Sequence, residues 1–310
     1  MLDLYSIGEM VIDFIPGAEP GSYVRNAGGA PANVAIAMAR NGLRAGMCCS
    51  VGDDDFGRFL ARTLEENHVR RINPAFCGKA VTTMAFVNLH DDGERTFTFA
   101  RKPGADMFLE EACVREEDIR EAVIVHAGSC SLSASPSAEA TVRALRLGHE
   151  YGKLVSFDVN YRNLMWEDDR EACAAKVMEI LPFVDILKIS EEEVDMMGGE
   201  ASLPALMERC GLTLVVETLG AAGAKCFFGD EILSVPGRKA RAVDATGAGD
   251  AFWGGFLSSL RLPGWERAAD FTSETLKKAV EYGNIAGWIC VQSKGAIASL
   301  PTRAEIEEYL

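Results

Sequence analysis

The sequence predicts an α/β fold: a mostly parallel sheet covered on both faces by helices, with a small β flap beside it. Three observations carry that expectation. From residue 122 onward, short apolar runs at 123–127, 154–158, 186–189 and 212–217 alternate with helix-compatible segments near 137–149, 169–180 and 202–210. Such alternation places parallel strands between two helix layers. Two runs rich in β-branched and aromatic residues, 81–89 and 94–101, flank His90-Asp91-Asp92-Gly93. An Asp-Gly turn between such runs reads as a hairpin, and it breaks the alternation, so it lies at an edge of the core or outside it. The chain's 310 residues, 48% of them hydrophobic, suffice for one large domain.

Taken in order, residues 5–15 read as a first strand in which Gly8 allows close backbone approach. Residues 30–40 form a small-residue helix, 45–51 a buried strand, and 56–67 a helix with Phe56, Phe59, Leu60 and Leu64 on one face. After the flap and the alternating region, 224–228 and 231–235 make a second hairpin around Gly229-Asp230. Helices follow at 248–259 and 272–291, with a short one after Pro301. No repeat, low-complexity tract or long linker interrupts residues 1–310, which read as a single domain.

Composition excludes several functions. A net charge of −15 argues against a nucleic-acid binder, which needs a basic face. No apolar run reaches the ~18 residues of a membrane span, and the amino terminus lacks a basic region followed by an apolar stretch, so no secretory signal is expected. The nine cysteines (Cys48, Cys49, Cys77, Cys113, Cys130, Cys173, Cys210, Cys226, Cys290) show no CxxC pair or metal spacing. They read as buried thiols of a cytoplasmic protein.

The chemistry concentrates in Asp244-Ala245-Thr246-Gly247-Ala248-Gly249-Asp250-Ala251-Phe252. A turn of small residues opens directly into an apolar helix. The first N–H groups of a helix lack intrahelical partners and carry the positive end of the dipole, so the Gly247-Ala248-Gly249 backbone suits a phosphate. A carboxylate at Asp250 would repel that phosphate, which makes sense if it takes a proton from a hydroxyl attacking phosphorus. The plainer alternative is an acid in a helix first turn. There is no GxxxxGK[ST] motif, and no GxGxxG follows the first strand, which argues against P-loop and nicotinamide-binding readings. Asp13 closes the expected first strand, and its carboxylate could accept from vicinal hydroxyls or be a turn acid. Arg162 is a cation at a strand terminus, suited to a substrate oxygen or to a surface ion pair. In Ser190-Glu191-Glu192-Glu193, Ser190 reads as an N-cap with three acids in the first helical turn.

The Asp244–Phe256 run resembles the carboxy-terminal signature of the ribokinase-like (PfkB) carbohydrate kinases. Gly28-Gly29-Ala30-Pro31-Ala32-Asn33 and Gly52-Asp53-Asp54-Asp55-Phe56-Gly57 resemble the amino-terminal one. The resemblance implies a three-layer α/β/α core and a β-sheet lid, discontinuous in sequence (about residues 10–26 and 80–102). It also implies ATP-dependent phosphorylation of a sugar, with Asp250 as base and Gly247, Ala248 and Gly249 as anion cradle. Asp13, Gly28, Gly29 and Asn33 match sugar-binding positions. Thr218, Gly220, Gly223 and Asn284 match positions near ATP. Glu193 matches the Glu of an Asn-x-x-Glu motif that organises Mg2+ through water, although Ser190 stands where the Asn would be. Asp244, Thr246, Gly295 and Ser299 match a monovalent-cation site, implying use of K+.

Three further segments are similar to fructokinases: Gly8-Glu9-Met10-Val11-Ile12-Asp13, Phe97-Thr98-Phe99-Ala100-Arg101 and Lys188-Ile189-Ser190-Glu191-Glu192-Glu193. They place Phe99 and Arg101 toward the sugar and favour fructose as acceptor. Asp158-Val159-Asn160-Tyr161-Arg162, with Trp166 nearby, is similar to both fructokinases and 2-keto-3-deoxygluconate kinases and adds Asn160 and Arg162 to the site. A 2-keto-3-deoxygluconate kinase, a ribokinase, or a non-catalytic sugar or nucleotide sensor remain the alternatives. Related lids meet across a dimer interface, so a homodimer through the lid is also implied.

Overall fold

The computed structural model of the protein describes residues 1–19, 21–89, 95–265 and 267–310. Its elements are β1 (Leu2–Ile7), β2 (Val11–Pro16), β3 (Tyr23–Gly28), α1 (Ala30–Arg40), β4 (Ala45–Cys48), α2 (Asp55–Glu66), β5 (Arg70–Arg71), β6 (Met84–Leu89), β7 (Arg95–Ala100), α3 (Glu116–Arg120), β8 (Ala122–Gly128), α4 (Ser137–Glu150), β9 (Leu154–Asp158), α5 (Arg170–Ile180), β10 (Ile186–Ser190), α6 (Leu203–Cys210), β11 (Leu214–Thr218), β12 (Gly223–Phe228), β13 (Glu231–Pro236), α7 (Ala248–Arg261), α8 (Ser273–Cys290), α9 (Ala296–Ser299) and α10 (Arg303–Glu307), joined by short 3-10 turns.

Nine strands form the main sheet in the order β13-β12-β11-β10-β9-β8-β1-β4-β5. All neighbours from β5 through β11 are parallel, and β12 and β13 add an antiparallel edge. Along each strand successive side chains alternate between faces. In β10, Ile186 packs on one side with Ala251, Phe252 and Trp253, whereas Leu187 and Ile189 pack on the other with Leu145, Cys173 and Val177. The two apolar layers contain α1, α7 and α8 on one face and α4, α5 and α6 on the other, giving three layers, α/β/α. β1 lies between β4 and β8, so the strand order reverses there, and the carboxyl ends beside that reversal are where such sheets bind ligands.

The expected single strand over residues 5–15 is two strands. The chain turns away at Gly8 (φ 149°), leaving β1 in the main sheet and sending β2 into a separate four-stranded sheet of order β3-β2-β6-β7. The hairpin of β6 and β7 is antiparallel, but β6 starts at Met84 rather than at residue 81. Its expected turn, His90-Asp91-Asp92-Gly93, lies outside the described residues. This small sheet contains the segments expected to form the flap. Phe14, Phe86, Tyr23 and Phe56 cluster on it, with Phe14 and Phe86 stacked at 4.8 Å.

The apolar expectation for the core strands fails on one face. Ser6, His126, Ser156, Asp158 and Lys188 are all buried there. Trp253 Nε1 of α7 donates to Ser156 Oγ (2.9 Å), which lies 3.0 Å from His126 Nδ1. Burial pushes the His126 pKa down to about 3, so the ring is neutral. α7 is thereby fixed to the sheet by polar bonds as well as by packing. Among the described residues no helix is long and apolar enough to cross a membrane.

Candidate active site

The centre of the site is the start of α7. Gly247 occupies the N-cap with φ 79°, and a Cβ there would lie 2.7 Å from the Ala296 side chain. Only glycine meets both the left-handed backbone and the close approach. No hydrogen bond among the described residues takes up the N–H of Gly247, Gly249 or Asp250. The N–H of Ala248 differs from expectation, because it donates to Ala245 O (3.2 Å). The amides of this turn left to receive an anion are thus those of Gly247, Gly249 and Asp250.

Asp250 is 7% exposed. Its Oδ2 accepts from Asn33 Nδ2 at 2.7 Å, and Oδ1 has no partner among the described residues. Burial raises its pKa above the ordinary carboxylate value. Asn33 opposes that rise, Asp158 adds to it, and Arg162 and Lys188 oppose it. Asn33 (α1) is buried, and its Oδ1 has no partner. The amide thus presents a second, unsatisfied oxygen beside the base.

Asp13 does not close a strand of the main sheet. It lies mid-strand in β2, opposite Asn26 of β3 and Ala85 of β6. A Cβ at Gly28 would fall 2.1 Å from Asp13 Oδ2, so the Gly28 backbone passes directly under the carboxylate. Gly29 (φ 114°) follows as the N-cap of α1. Burial pushes the Asp13 pKa up to about 7; Arg162 opposes this, and Asp250 and Asp244 contribute to it. Arg162 is solvent-exposed, yet Asp250, Glu193 and Asp158 act on its charge. Burial works against the guanidinium, and Cys130 and these acids outweigh it, raising its pKa. Asp13, Arg162 and Asp250 thus lie near enough to act on one another's charge.

Asn160 has φ 37°, and its carbonyl accepts from Ser129 Oγ at 3.5 Å. Ser190 does not cap a helix: it ends β10, and a turn follows. Glu193 Oε2 accepts from the Ser190 N–H (2.9 Å) and Oε1 from the Tyr161 N–H (2.6 Å). Glu193 thus ties the segments after β9 and β10 together. Each of its oxygens keeps a second lone pair, which leaves capacity for a metal-bound water. No group of three His, Cys, Asp or Glu among the described residues forms a direct metal site.

Arg101 is held by partners within the protein. It pairs with Asp106 (2.8 Å) and donates to Ser133 Oγ (3.1 Å). Phe99 packs with Val11, Cys130 and Met165. Both line a cavity of about 310 Å³ with Ser133, Leu164 and Met165. Neither Asp250 nor Asn33 borders it, so this cavity is not where Asp250 acts.

On the other side, Thr218 ends β11, and Gly220 and Gly223 bound the turn into β12. Gly223 has a packing reason, since a Cβ there would fall 2.2 Å from Val235 O. Asn284 Nδ2 donates to Val235 O and Pro236 O, both at 3.3 Å, so its amide anchors α8 to the end of β13. Asp244, Thr246, Gly295 and Ser299 come together. Asp244 Oδ1 accepts from the Thr246 N–H and hydroxyl, Asp244 Oδ2 from the Gly295 N–H, and Ser299 Oγ donates to Gly295 O.

Sequence reading missed two features. Lys188 and Asp158 are opposite each other in register on β10 and β9, and Nζ donates to both Asp158 oxygens at 2.9 Å. A lone charge in the apolar run Ile186-Leu187-Lys188-Ile189 was the available signal, because a buried charge requires a partner. Glu9 is also buried. Its Oε1 accepts from the Ala30 N–H (3.2 Å) and its Oε2 has no partner.

The model of the pfkB family carbohydrate kinases matches residues 1–303 of this chain. The chain belongs to that family. Fructokinase-1 of Oryza sativa subsp. japonica is 40% identical over 311 residues, covering 97% of this chain and 95% of the relative. Fructokinase-1 of Zea mays is 39% identical, with 98% and 96% covered. Among solved structures, a Xylella fastidiosa fructokinase with bound ATP superposes with TM-score 0.92 at 30% identity, covering 99% of this chain and 98% of that one. A Vibrio cholerae O395 fructokinase with fructose, ADP and calcium ion superposes with TM-score 0.87 at 33% identity and the same coverage. A pfkB carbohydrate kinase is a phosphotransferase with an alcohol acceptor. The α7 start combines what that reaction requires: a buried carboxylate with one free oxygen, and unpartnered amides in the same turn.

Proposed function

We propose that this chain transfers the γ-phosphate of ATP to a primary hydroxyl of D-fructose, giving fructose 6-phosphate and ADP. The observation that carries the reading is Asp250 itself, held by Asn33 through one oxygen and open at the other, inside a turn of unpartnered amides. The fructokinases at about 40% identity and the neighbour solved with fructose and ADP support fructose as the acceptor.

In this reading Asp250 Oδ1 takes the hydroxyl proton as the oxygen attacks the γ-phosphorus in line. The Gly247 and Gly249 amides receive the oxygens of the transferring group. Asp13, Asn33, Asn160 and Arg162 hold the sugar, and the four-stranded sheet acts as the lid that excludes water. Arg101 supports this wall through Asp106 and Ser133. Thr218, Gly220 and Gly223 line the nucleotide side, with Asn284 fixing its outer edge. Glu193 has the capacity to hold Mg2+ through water, and the bound ion would neutralise phosphate charge. Asp244, Thr246, Gly295 and Ser299 suit a monovalent cation beneath the anion turn.

A panel of fructose, ribose, tagatose, 2-keto-3-deoxygluconate and adenosine with Mg-ATP, read by ADP release, tests the acceptor. Fructose is expected to give the highest kcat/KM. Asp250→Asn is expected to lower turnover by at least about 10²-fold with sugar binding retained. Retained turnover in that variant would show the base is misassigned.

A further inference from the structure

We propose that Lys188 is a catalytic residue of this site, its ammonium contacting the oxygens of the transferring phosphoryl group, with Asp158 holding it in place. The proposal rests on the phosphoryl-transfer reading above.

Three observations lead to it. Lys188 Nζ packs against the anion turn, since a Cβ built on Gly249 would lie 3.5 Å from it. Both of its hydrogen bonds go to Asp158, which leaves the third N–H of a buried ammonium unused by any described residue. Lys188 and Asp158 also point to the face of the sheet that carries α7. The alternation that puts Leu187 and Ile189 on the opposite side fixes this.

A purely structural role accounts poorly for the pair. A buried ion pair stabilises a fold little better than the apolar residues it displaces, and neighbouring positions of β9 and β10 are filled by Phe157, Leu187 and Ile189. The charges around the turn supply a chemical reason. Asp250, Asp158, Glu193, Asp13 and Asp244 all act on the site, and a phosphate arriving there meets mostly negative charge. Lys188 and Arg162 are the cations acting on Asp250. Burial works against the Lys188 charge, but Asp158, then Glu193 and Asp250, outweigh it and hold the ammonium protonated. During transfer the acceptor O–H bond breaks and its proton goes to Asp250. The new O–P bond forms as the bond from phosphorus to the ADP oxygen breaks. Lys188 stays protonated throughout and stabilises charge only.

The test uses the double variant Lys188→Met/Asp158→Asn, which removes both charges and leaves neither buried alone, together with Asp158→Asn, which keeps the ammonium. Readouts are turnover with the wild-type acceptor and affinity for fructose, for ADP, and for ADP with aluminium fluoride as a mimic of the transferring group. The double variant is expected to bind fructose and ADP within about threefold of wild type, and to lose about 10²–10³-fold in turnover and a similar factor in fluoroaluminate-dependent affinity. Asp158→Asn is expected to lose no more than about tenfold in turnover; if the double variant fails to fold, Lys188→Gln/Asp158→Asn, which replaces the ion pair by a neutral hydrogen-bonding pair, takes its place with the same expected losses. Turnover near wild type in the folded double variant would overturn the proposal. So would equal losses of ADP and ADP–fluoroaluminate affinity, or an Asp158→Asn variant as inactive as the double. If wild type phosphorylates no sugar in the panel, the acceptor reading fails separately, and the fluoroaluminate comparison still decides the role of Lys188.

Discussion

Asn33→Leu isolates the hydrogen bond that α1 makes to the base. Leucine has the same number and branching of heavy atoms as asparagine and lacks the donor, so the side-chain shape is broadly kept and the contact is removed. The bond is 2.7 Å long between side chains that are 3% and 7% exposed. A hydrogen bond to a charged group contributes about 1.5–3 kcal/mol. Asn33 donates, so it favours the ionised carboxylate and holds the Asp250 pKa down against burial. At 1.36 kcal/mol per unit, losing it raises that pKa by about 1–2 units. The base acts ionised, so activity falls as pH drops through its pKa. In Asn33→Leu the acid limb of kcat/KM therefore moves to higher pH by about 1–2 units.

Asn33 is also a proposed sugar contact, and the two roles separate in one assay. Steady-state kcat/KM for fructose is measured across about pH 5–9, where the profile reports ionisations of the free enzyme. Losing a sugar contact lowers the whole curve, whereas losing a contact to the base displaces it along the pH axis. A lowered curve with its acid limb unmoved would refute the assignment of Asn33 as the group that tunes Asp250.

Two further outcomes are expected. Burial, with smaller contributions from Asp106 and Asp250, pushes the Glu9 pKa from 4.5 up to about 7. A carboxyl whose folded pKa lies above its unfolded value holds its proton more tightly when folded. That stabilisation is full below about pH 4.5 and is lost as pH rises through about 7, a loss of about 3 kcal/mol. Glu9→Gln, which cannot ionise, should exceed wild type in urea-melt stability by up to that amount at about pH 8 and match it near pH 5; an equal difference at both would count against it. Replacing K+ by tetramethylammonium should lower turnover severalfold if Asp244, Thr246, Gly295 and Ser299 seat a cation under the anion turn, and equal turnover in both salts would remove that site.

The layers of the fold were legible because they rest on local pattern. The runs at 154–158 and 186–189, with the helices between them, are visible as period and composition alone. The start of α7 was legible for a different reason: a glycine turn opening into an apolar helix with an acid in it has few other uses. What escaped depends on where chain segments meet. Asp13 looked like the end of a core strand because the run from residue 5 to 15 is mostly apolar, and its division at Gly8 follows from pairing with β3 and, much farther along the chain, with β6. Arg101 reads as a substrate ligand from its motif, and its pairing with Asp106 and Ser133 could be known only from the fold. The three acids after Ser190 satisfied every local rule for a helix start, but Glu193 caps two separate loops instead. Lys188 carried a signal, an ammonium in an apolar strand, whose meaning depended on Asp158 lying in register beside it.

Asp13 rides on β2 of the small sheet, whereas Asp250 rides on α7, pinned to the main sheet through Trp253 and Ser156. The group proposed to recognise the alcohol and the group proposed to activate it thus belong to separate supports joined near Gly8. Their spacing therefore depends on how the small sheet sits relative to the main one. A sugar that met Asp13 with one hydroxyl and Asp250 with another would tie the two supports together through its carbon frame, which water lacks, and selection against hydrolysis would then lie in the connectivity of the chain as much as in the groups of the site.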